Sequence, residues 1–169
     1  MRKLLLLVAG IMLLAAAAAA QDSYPRVEIF GGASYFRAPI SRNFGGWHAS
    51  LSANLHKNFG LVADLAGQYG SDGQGIYEYM LGPRLHYRAD RATFFAHALY
   101  GGLTAREGLE SLGTDFLMAY GAGVDVNLGK RVALRVVQLD YLARQGLHSE
   151  WENHLRASVG IVFRLGGQK

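Results

Sequence analysis

The chain has 169 residues, half of them hydrophobic, with 17 basic and 13 acidic side chains and a formal charge of +4. That length fits one domain and hardly two. The absence of cysteine excludes disulfides, thiolate metal sites and a lipid-modified N-terminal cysteine, and so small a charge excess gives no argument for nucleic acid.

Residues 1–20 read as a secretory signal peptide. Arg2 and Lys3 are followed by an apolar run from Leu4 to Leu14 and then by alanines up to Ala20. A basic start, a short apolar core and a small-residue exit are the marks of such a leader. Ala18-Ala19-Ala20 places the cut after Ala20, so the mature domain is expected over 21–169. Removing Arg2 and Lys3 lowers the charge from +4 to +2.

Beyond the leader no apolar run is long enough for a membrane helix, and period-two alternation, a strand signal, is nearly everywhere. Eight strands are expected, near Val27–Arg37, Gly46–Lys57, Gly60–Tyr69, Ile76–Arg88, Ala92–Thr104, Thr114–Leu128, Val132–Arg144 and Asn153–Leu165. In the second, Trp47, Ala49, Leu51, Ala53 and Leu55 alternate with His48, Ser50, Ser52, Asn54 and His56. In the fourth, Tyr77, Tyr79, Leu81, Leu85 and Tyr87 oppose Glu78, Arg84 and His86. In the eighth, Leu155, Ala157, Val159, Ile161, Phe163 and Leu165 oppose His154, Arg156, Ser158 and Arg164.

Alternation alone allows a soluble sandwich with its apolar face inside, or a membrane barrel with that face in lipid. The aromatic residues separate the two. If the strands run up and down in turn, apolar-face Tyr35, Trp47, Tyr69, Tyr77, Tyr79, Tyr100, Phe116 and Tyr141 gather near one end. Tyr87, Phe94 and Phe163 gather near the other, with Ala, Gly, Leu and Val between. Rings collect at a membrane boundary because they combine an apolar body with a polar tip; a sandwich core has no reason to sort them by height. Short joins at Asn58, Ala89-Asp90 and Gly129-Lys130 alternate with longer ones at Ala38–Gly45, Gly70–Gly75, Ala105–Gly113 and Gln145–Glu152, as in outer-membrane barrels. The expectation is an all-β, closed, eight-stranded, up-and-down transmembrane barrel with a polar interior too filled to conduct well.

Charges inside so narrow a barrel must be paired. Residues facing each other across a hairpin share a constant index sum. On that basis Asp64 is expected opposite Arg84 (sum 148), Asp125 opposite Arg135 (sum 260) and Asp140 opposite Arg156 (sum 296). Glu28 and Arg164 should meet across the seam that closes the barrel. Arg135 and Asp140 differ in parity, so a β-bulge is needed near Val136-Val137.

At the C-terminus, Ser158, Gly160, Phe163 and Leu165 resemble the last-strand signal by which the outer-membrane assembly machinery recognises its clients. With Gly82-Pro83-Arg84 and Val137-Gln138-Leu139-Asp140-Tyr141, the chain from about 26 to 165 resembles the small OmpA/OmpX-type outer-membrane β-barrels. The resemblance implies location in the outer membrane of a Gram-negative cell envelope and insertion by the assembly machinery. It also implies contact with outer-membrane lipid and variable extracellular loops open to a ligand. The expected role is structural or surface-interacting, in adhesion or envelope stability, without enzymatic activity or cofactor. The alternatives are a narrow, porin-like pore and a lipid-modifying enzyme. His48-Ala49-Ser50 resembles the H-x-S spacing of an outer-membrane lipid A deacylase, but that pair faces the membrane and here both residues fall inward. Consecutive His148-Ser149-Glu150 cannot orient one another as a triad. His48, His56, His86, His97 and His154 are expected inward on four strands without ligand spacing, so no metal site is expected.

Overall fold

The structure, a computed structural model, describes residues 24–37, 43–70, 74–107, 110–145 and 151–166. The expected leader and His148-Ser149-Glu150 lie outside them. Eight strands, β1 (Val27–Arg37), β2 (Asn43–His56), β3 (Phe59–Tyr69), β4 (Gln74–Arg88), β5 (Ala92–Glu107), β6 (Glu110–Asn127), β7 (Val132–Gln145) and β8 (Trp151–Leu165), form the fold. Each pairs antiparallel with its neighbours in sequence, and β8 pairs back onto β1, so the sheet closes and keeps no free edge.

The strands follow the alternation, but most reach further than the pattern indicates at the end where the longer connections lie (the loop end). The largest difference is at β5 and β6, where Arg106 pairs with Ser111 and Glu107 with Glu110. Only residues 108 and 109 separate these strands, in place of a loop over 105–113. Polar composition suggested a loop there, and ladder hydrogen bonds override it. The hairpin's extra residue is absorbed by a register shift between Thr104 and Arg106, beside Gly113 at φ 107°, a conformation that favours glycine.

On β7 the expected bulge is present. The pairing with β8 skips from Arg135 to Gln138, and Val136 and Val137 both point outward, 42% and 37% exposed. Arg135, Gln138 and Asp140 consequently all face the lumen. On β4, Gly82 and Pro83 drop out of the pairing with β5, which resumes at Arg84 and His97. Proline has no N–H to donate to a ladder.

The lumen is not polar throughout, as alternation suggested. Phe36, Phe44, Leu103, Leu117 and Leu142, in the loop-end halves of their strands, join Val62, Met80, Leu99 and Ala119 in a buried apolar cluster. A smaller cluster, Phe30, Ala133 and Val162, lies toward the other end, the turn end. Between the apolar residues sit the buried charges. Outside, the barrel wall exposes Leu51, Leu65, Leu81, Leu139, Val159 and Ile161. This inversion, charge inside and hydrocarbon outside, is the reverse of a water-soluble domain.

Candidate functional site

The lumenal network is centred on Arg156 of β8. Its Nε donates to Asp140 Oδ2 at 2.9 Å, its Nη1 to Glu78 Oε2 at 2.6 Å and its Nη2 to Asp64 Oδ1 at 3.0 Å. One guanidinium thus joins carboxylates from β7, β4 and β3. A guanidinium suits this because its five N–H donors form a fixed planar fork. Two imidazoles complete the carboxylate shells: His48 Nε2 lies 2.6 Å from Asp64 Oδ2, and His97 Nε2 lies 2.8 Å from Asp140 Oδ1. Gln138 donates Nε2 to both oxygens of Asp140 and accepts from Arg135 Nη1 at 2.7 Å.

Arg135 extends the network toward the turn end. It is bidentate to Asp125, at 2.7 and 3.1 Å, and its guanidinium lies 4.3 Å from the ring centroids of both Phe30 and Phe95. Across the closing seam Glu28 sits opposite Arg164, and Glu28 Oε1 is 3.3 Å from both Arg164 Nε and Arg88 Nη2. Arg164 also donates to Asn127 Oδ1 and Thr93 Oγ1, at 2.6 and 3.1 Å.

Three of the four expected pairings, Asp125–Arg135, Asp140–Arg156 and Glu28–Arg164, are therefore opposite one another. The fourth is corrected. Asp64 faces Met80, an index sum of 144 where 148 was expected, and Arg84 faces Gly60. Pairing of Tyr69 with Gly75 and the hydrogen bond from Gly70 N to Gln74 O move the connection's centre toward the N-terminus. The offset is even, so both side chains still point inward. Arg84 instead donates Nη1 to Ser52 Oγ at 2.9 Å and lies 4.5 Å from the Phe95 centroid. Among the described residues it is the buried arginine without a carboxylate within salt-bridge distance.

Sequence reasoning missed Glu78 as a partner of Arg156, because they meet across the lumen and no hairpin sum relates non-adjacent strands. It also missed a Ser–His–Asp chain, in which His48 Nδ1 lies 2.9 Å from Ser158 Oγ and Nε2 contacts Asp64. The three residues are 2%, 1% and 0% exposed for Ser158, His48 and Asp64. Asp64 is held by Arg156, and the hydroxyl meets the opposite ring nitrogen from that of a hydrolase triad. Burial denies a substrate carbonyl any approach, so the chain serves as a hydrogen-bonded strut. Ser50 of the H-x-S pair is also buried, and His48 bonds other residues. His48, His86, His97 and His154 are buried, whereas His56, expected inward, is exposed where β2 runs into its turn. Among the described residues no group of three or more His, Asp or Glu is placed to hold a metal.

The loop-end rim carries a second polar group. Arg144 Nε donates to Asp115 Oδ2 at 2.7 Å, and its Nη1 reaches Glu152 Oε2 at 3.3 Å. Outside this rim runs an aromatic girdle: Tyr35, Trp47, Tyr69, Tyr79, Tyr100, Phe116, Tyr120, Tyr141 and Trp151 are all exposed. Trp47 Nε1 donates to Tyr69 Oη at 3.3 Å, and Tyr69 and Tyr100 pack edge-to-face on Tyr77 and Tyr120. Gly67 lies directly under the Trp47 indole, where a Cβ would come within 2.5 Å of it.

No protein-family model matches the sequence, and no curated protein matches it. Among solved structures the chain is similar to Neisserial surface protein A (NspA), with TM-score 0.71, 11% identity and coverage of 82% of this chain and 97% of that one. It is also similar to the N-terminal β-barrel domain of Pseudomonas aeruginosa OprF, with TM-score 0.53, 14% identity and coverage of 83% and 99%. A third is Ail, the attachment invasion locus protein of Yersinia pestis, in complex with the heparin analogue sucrose octasulfate, with TM-score 0.52, 14% identity and coverage of 86% and 100%. The fold is that of the small outer-membrane β-barrels.

Proposed function

We propose that this chain is an integral outer-membrane β-barrel with a structural or surface-interaction role and no enzymatic activity. The observation that carries the reading is the wall of the closed barrel: an exposed Leu, Val and Ile belt bounded by rings, around a lumen that holds the charges. In water such a belt would drive aggregation; in a bilayer it is solvated by hydrocarbon, while closure satisfies the backbone. The leader over 1–20 supplies export, and Ser158, Gly160, Phe163 and Leu165 on β8 present the assembly signal. Packing of the lumen by the Arg156 network and the apolar cluster opposes a conducting pore. Surface interactions then fall to the connections at the loop end, which in this reading faces the cell exterior.

Fractionation of the expressed protein tests this directly. It is expected in the outer-membrane fraction, with different gel mobility when loaded unheated and boiled. Recovery as a soluble periplasmic protein with one mobility would overturn the reading.

A further inference from the structure

We propose that the turn end is a ring of cations that binds the headgroups of anionic phospholipids in the membrane leaflet it faces. This rests on the reading of the chain as a membrane barrel.

Every tight connection contributes to the ring. Lys57 lies in the β2–β3 turn, Arg91 in the β4–β5 turn, and Lys130 and Arg131 in the β6–β7 turn; all four are exposed. Among the described residues of these turns the exposed carboxylate is Asp90 alone, so the ring is strongly positive. Among the described residues, Glu28 and Asp125, also near this end, point inward and are engaged, Glu28 by Arg88 and Arg164 and Asp125 by Arg135. The loop end differs: exposed Arg37 and Arg106 stand with exposed Glu152, and Arg144 is engaged by Asp115.

Each cation adjoins exposed apolar wall. Lys57 follows Leu55, 58% exposed. Arg91 lies between Tyr87, 68% exposed, and Phe94, 47% exposed, and these two rings pack 6.3 Å apart. Lys130 and Arg131 follow Leu128, 64% exposed. A strand rises about 3.3 Å per residue, so one or two residues carry the chain from hydrocarbon to headgroup depth. A soluble polyanion could meet the cations but would leave these apolar side chains in water. An anionic bilayer surface covers both together, which is why lipid is the favoured partner.

The ring is also held in place. The Lys57 carbonyl accepts from Arg88 of the next hairpin, and Asn58 Nδ2 donates to the His86 carbonyl at 2.9 Å. Asn127 Nδ2 donates to the Asp90 carbonyl at 3.0 Å. Adjacent turns are thereby tied together, so binding lipid need not first order them.

The test inserts the mature chain into phosphatidylcholine vesicles with and without phosphatidylglycerol, and measures the phosphatidylglycerol retained on the purified barrel relative to phosphatidylcholine. A cation near an anionic surface is worth roughly fivefold in partitioning. The quadruple variant K57Q/R91Q/K130Q/R131Q is expected to lose the preference by about tenfold or more. The loop-end variant R37Q/R106Q is expected to keep it, and added salt to weaken it in the unaltered chain. Insertion without any preference for phosphatidylglycerol, or an unchanged preference in the quadruple variant, would overturn the proposal alone. Failure to insert into either vesicle would overturn the membrane reading, and this proposal with it.

Discussion

Arg156 Nη2 donates to Asp64 Oδ1 at 3.0 Å along a chord of the barrel, from β8 to β3, while both side chains are fully shielded from solvent. The two strands are not neighbours. Their ion pair therefore braces the cylinder across its lumen, where ladder hydrogen bonds act only around its circumference. Such a strut helps a narrow barrel hold one cross-section.

Removing the hub of this strut should be costly. Arg156→Met leaves Asp64, Glu78 and Asp140 without their shared cation, and stripping one partner from a buried pair typically costs about 3–5 kcal/mol. Urea unfolding from lipid vesicles measures it. A cost within about 0.5 kcal/mol, the range of an ordinary surface substitution, would contradict the role given to Arg156.

Arg84 offers a contrast. It is as deeply buried but has Ser52 and the Phe95 ring in place of a carboxylate, and its Nε and Nη2 have no protein partner. Replacing an under-compensated buried charge by an apolar side chain of similar length relieves desolvation. Arg84→Met should be close to neutral or stabilising. In double-mutant cycles Asp64 and Arg156 should couple by roughly 0.5–3 kcal/mol, whereas Asp64 and Arg84, which share no hydrogen bond, should couple more weakly. Strong Asp64–Arg84 coupling would restore the 148 register.

Gly121 on β6 faces the lumen where Asp140 and His97 meet. A Cβ at this position would lie 1.9 Å from Asp140 Oδ1 and 2.6 Å from His97 Nε2. Gly121→Val must push that pair apart, so it should destabilise by at least the roughly 1–3 kcal/mol typical of overpacking. The same substitution at Gly31, where a Cβ meets nothing within 4 Å, should be tolerated. Comparable unfolding midpoints for the two variants would contradict the packing described.

On the outer wall, Leu51→Arg and Ile161→Arg place a charge on the apolar belt. Each should cost about 2–4 kcal/mol near the bilayer midplane. Both variants folding into vesicles with unchanged stability would contradict an outward, lipid-facing belt.

Much of this architecture was legible because period-two patterning is strict over most of the wall. Trp47 to Leu55 on β2 and Leu155 to Leu165 on β8 define their faces without help from the fold. The bulge at Val136-Val137 was legible for a related reason: two inward charges of opposite parity, Arg135 and Asp140, demand an extra residue between them. What was hidden depends on distance in three dimensions. The Asp64–Arg84 expectation failed because a sum of 148 sets the hairpin centre at residue 74, whereas Tyr69 pairs with Gly75 and the ladder is centred on residue 72. The Arg156–Glu78 contact, the His48–Ser158 bond and the gathering of Phe36, Leu103 and Leu142 arise from residues on strands that do not follow each other. Neither alternation nor hairpin arithmetic relates such strands, because barrel tilt sets which residues share a height.

In a membrane barrel the leucine-rich wall meets hydrocarbon. The chain has no cysteine, so a fluorophore can be attached at single positions through Leu65→Cys and Ile161→Cys, both on exposed wall. In vesicles containing lipids brominated near the middle of the acyl chain, strong quenching is expected at both positions, with protection from aqueous iodide. Quenching by iodide with none by the brominated lipid would place the wall in water and contradict a lipid-facing barrel.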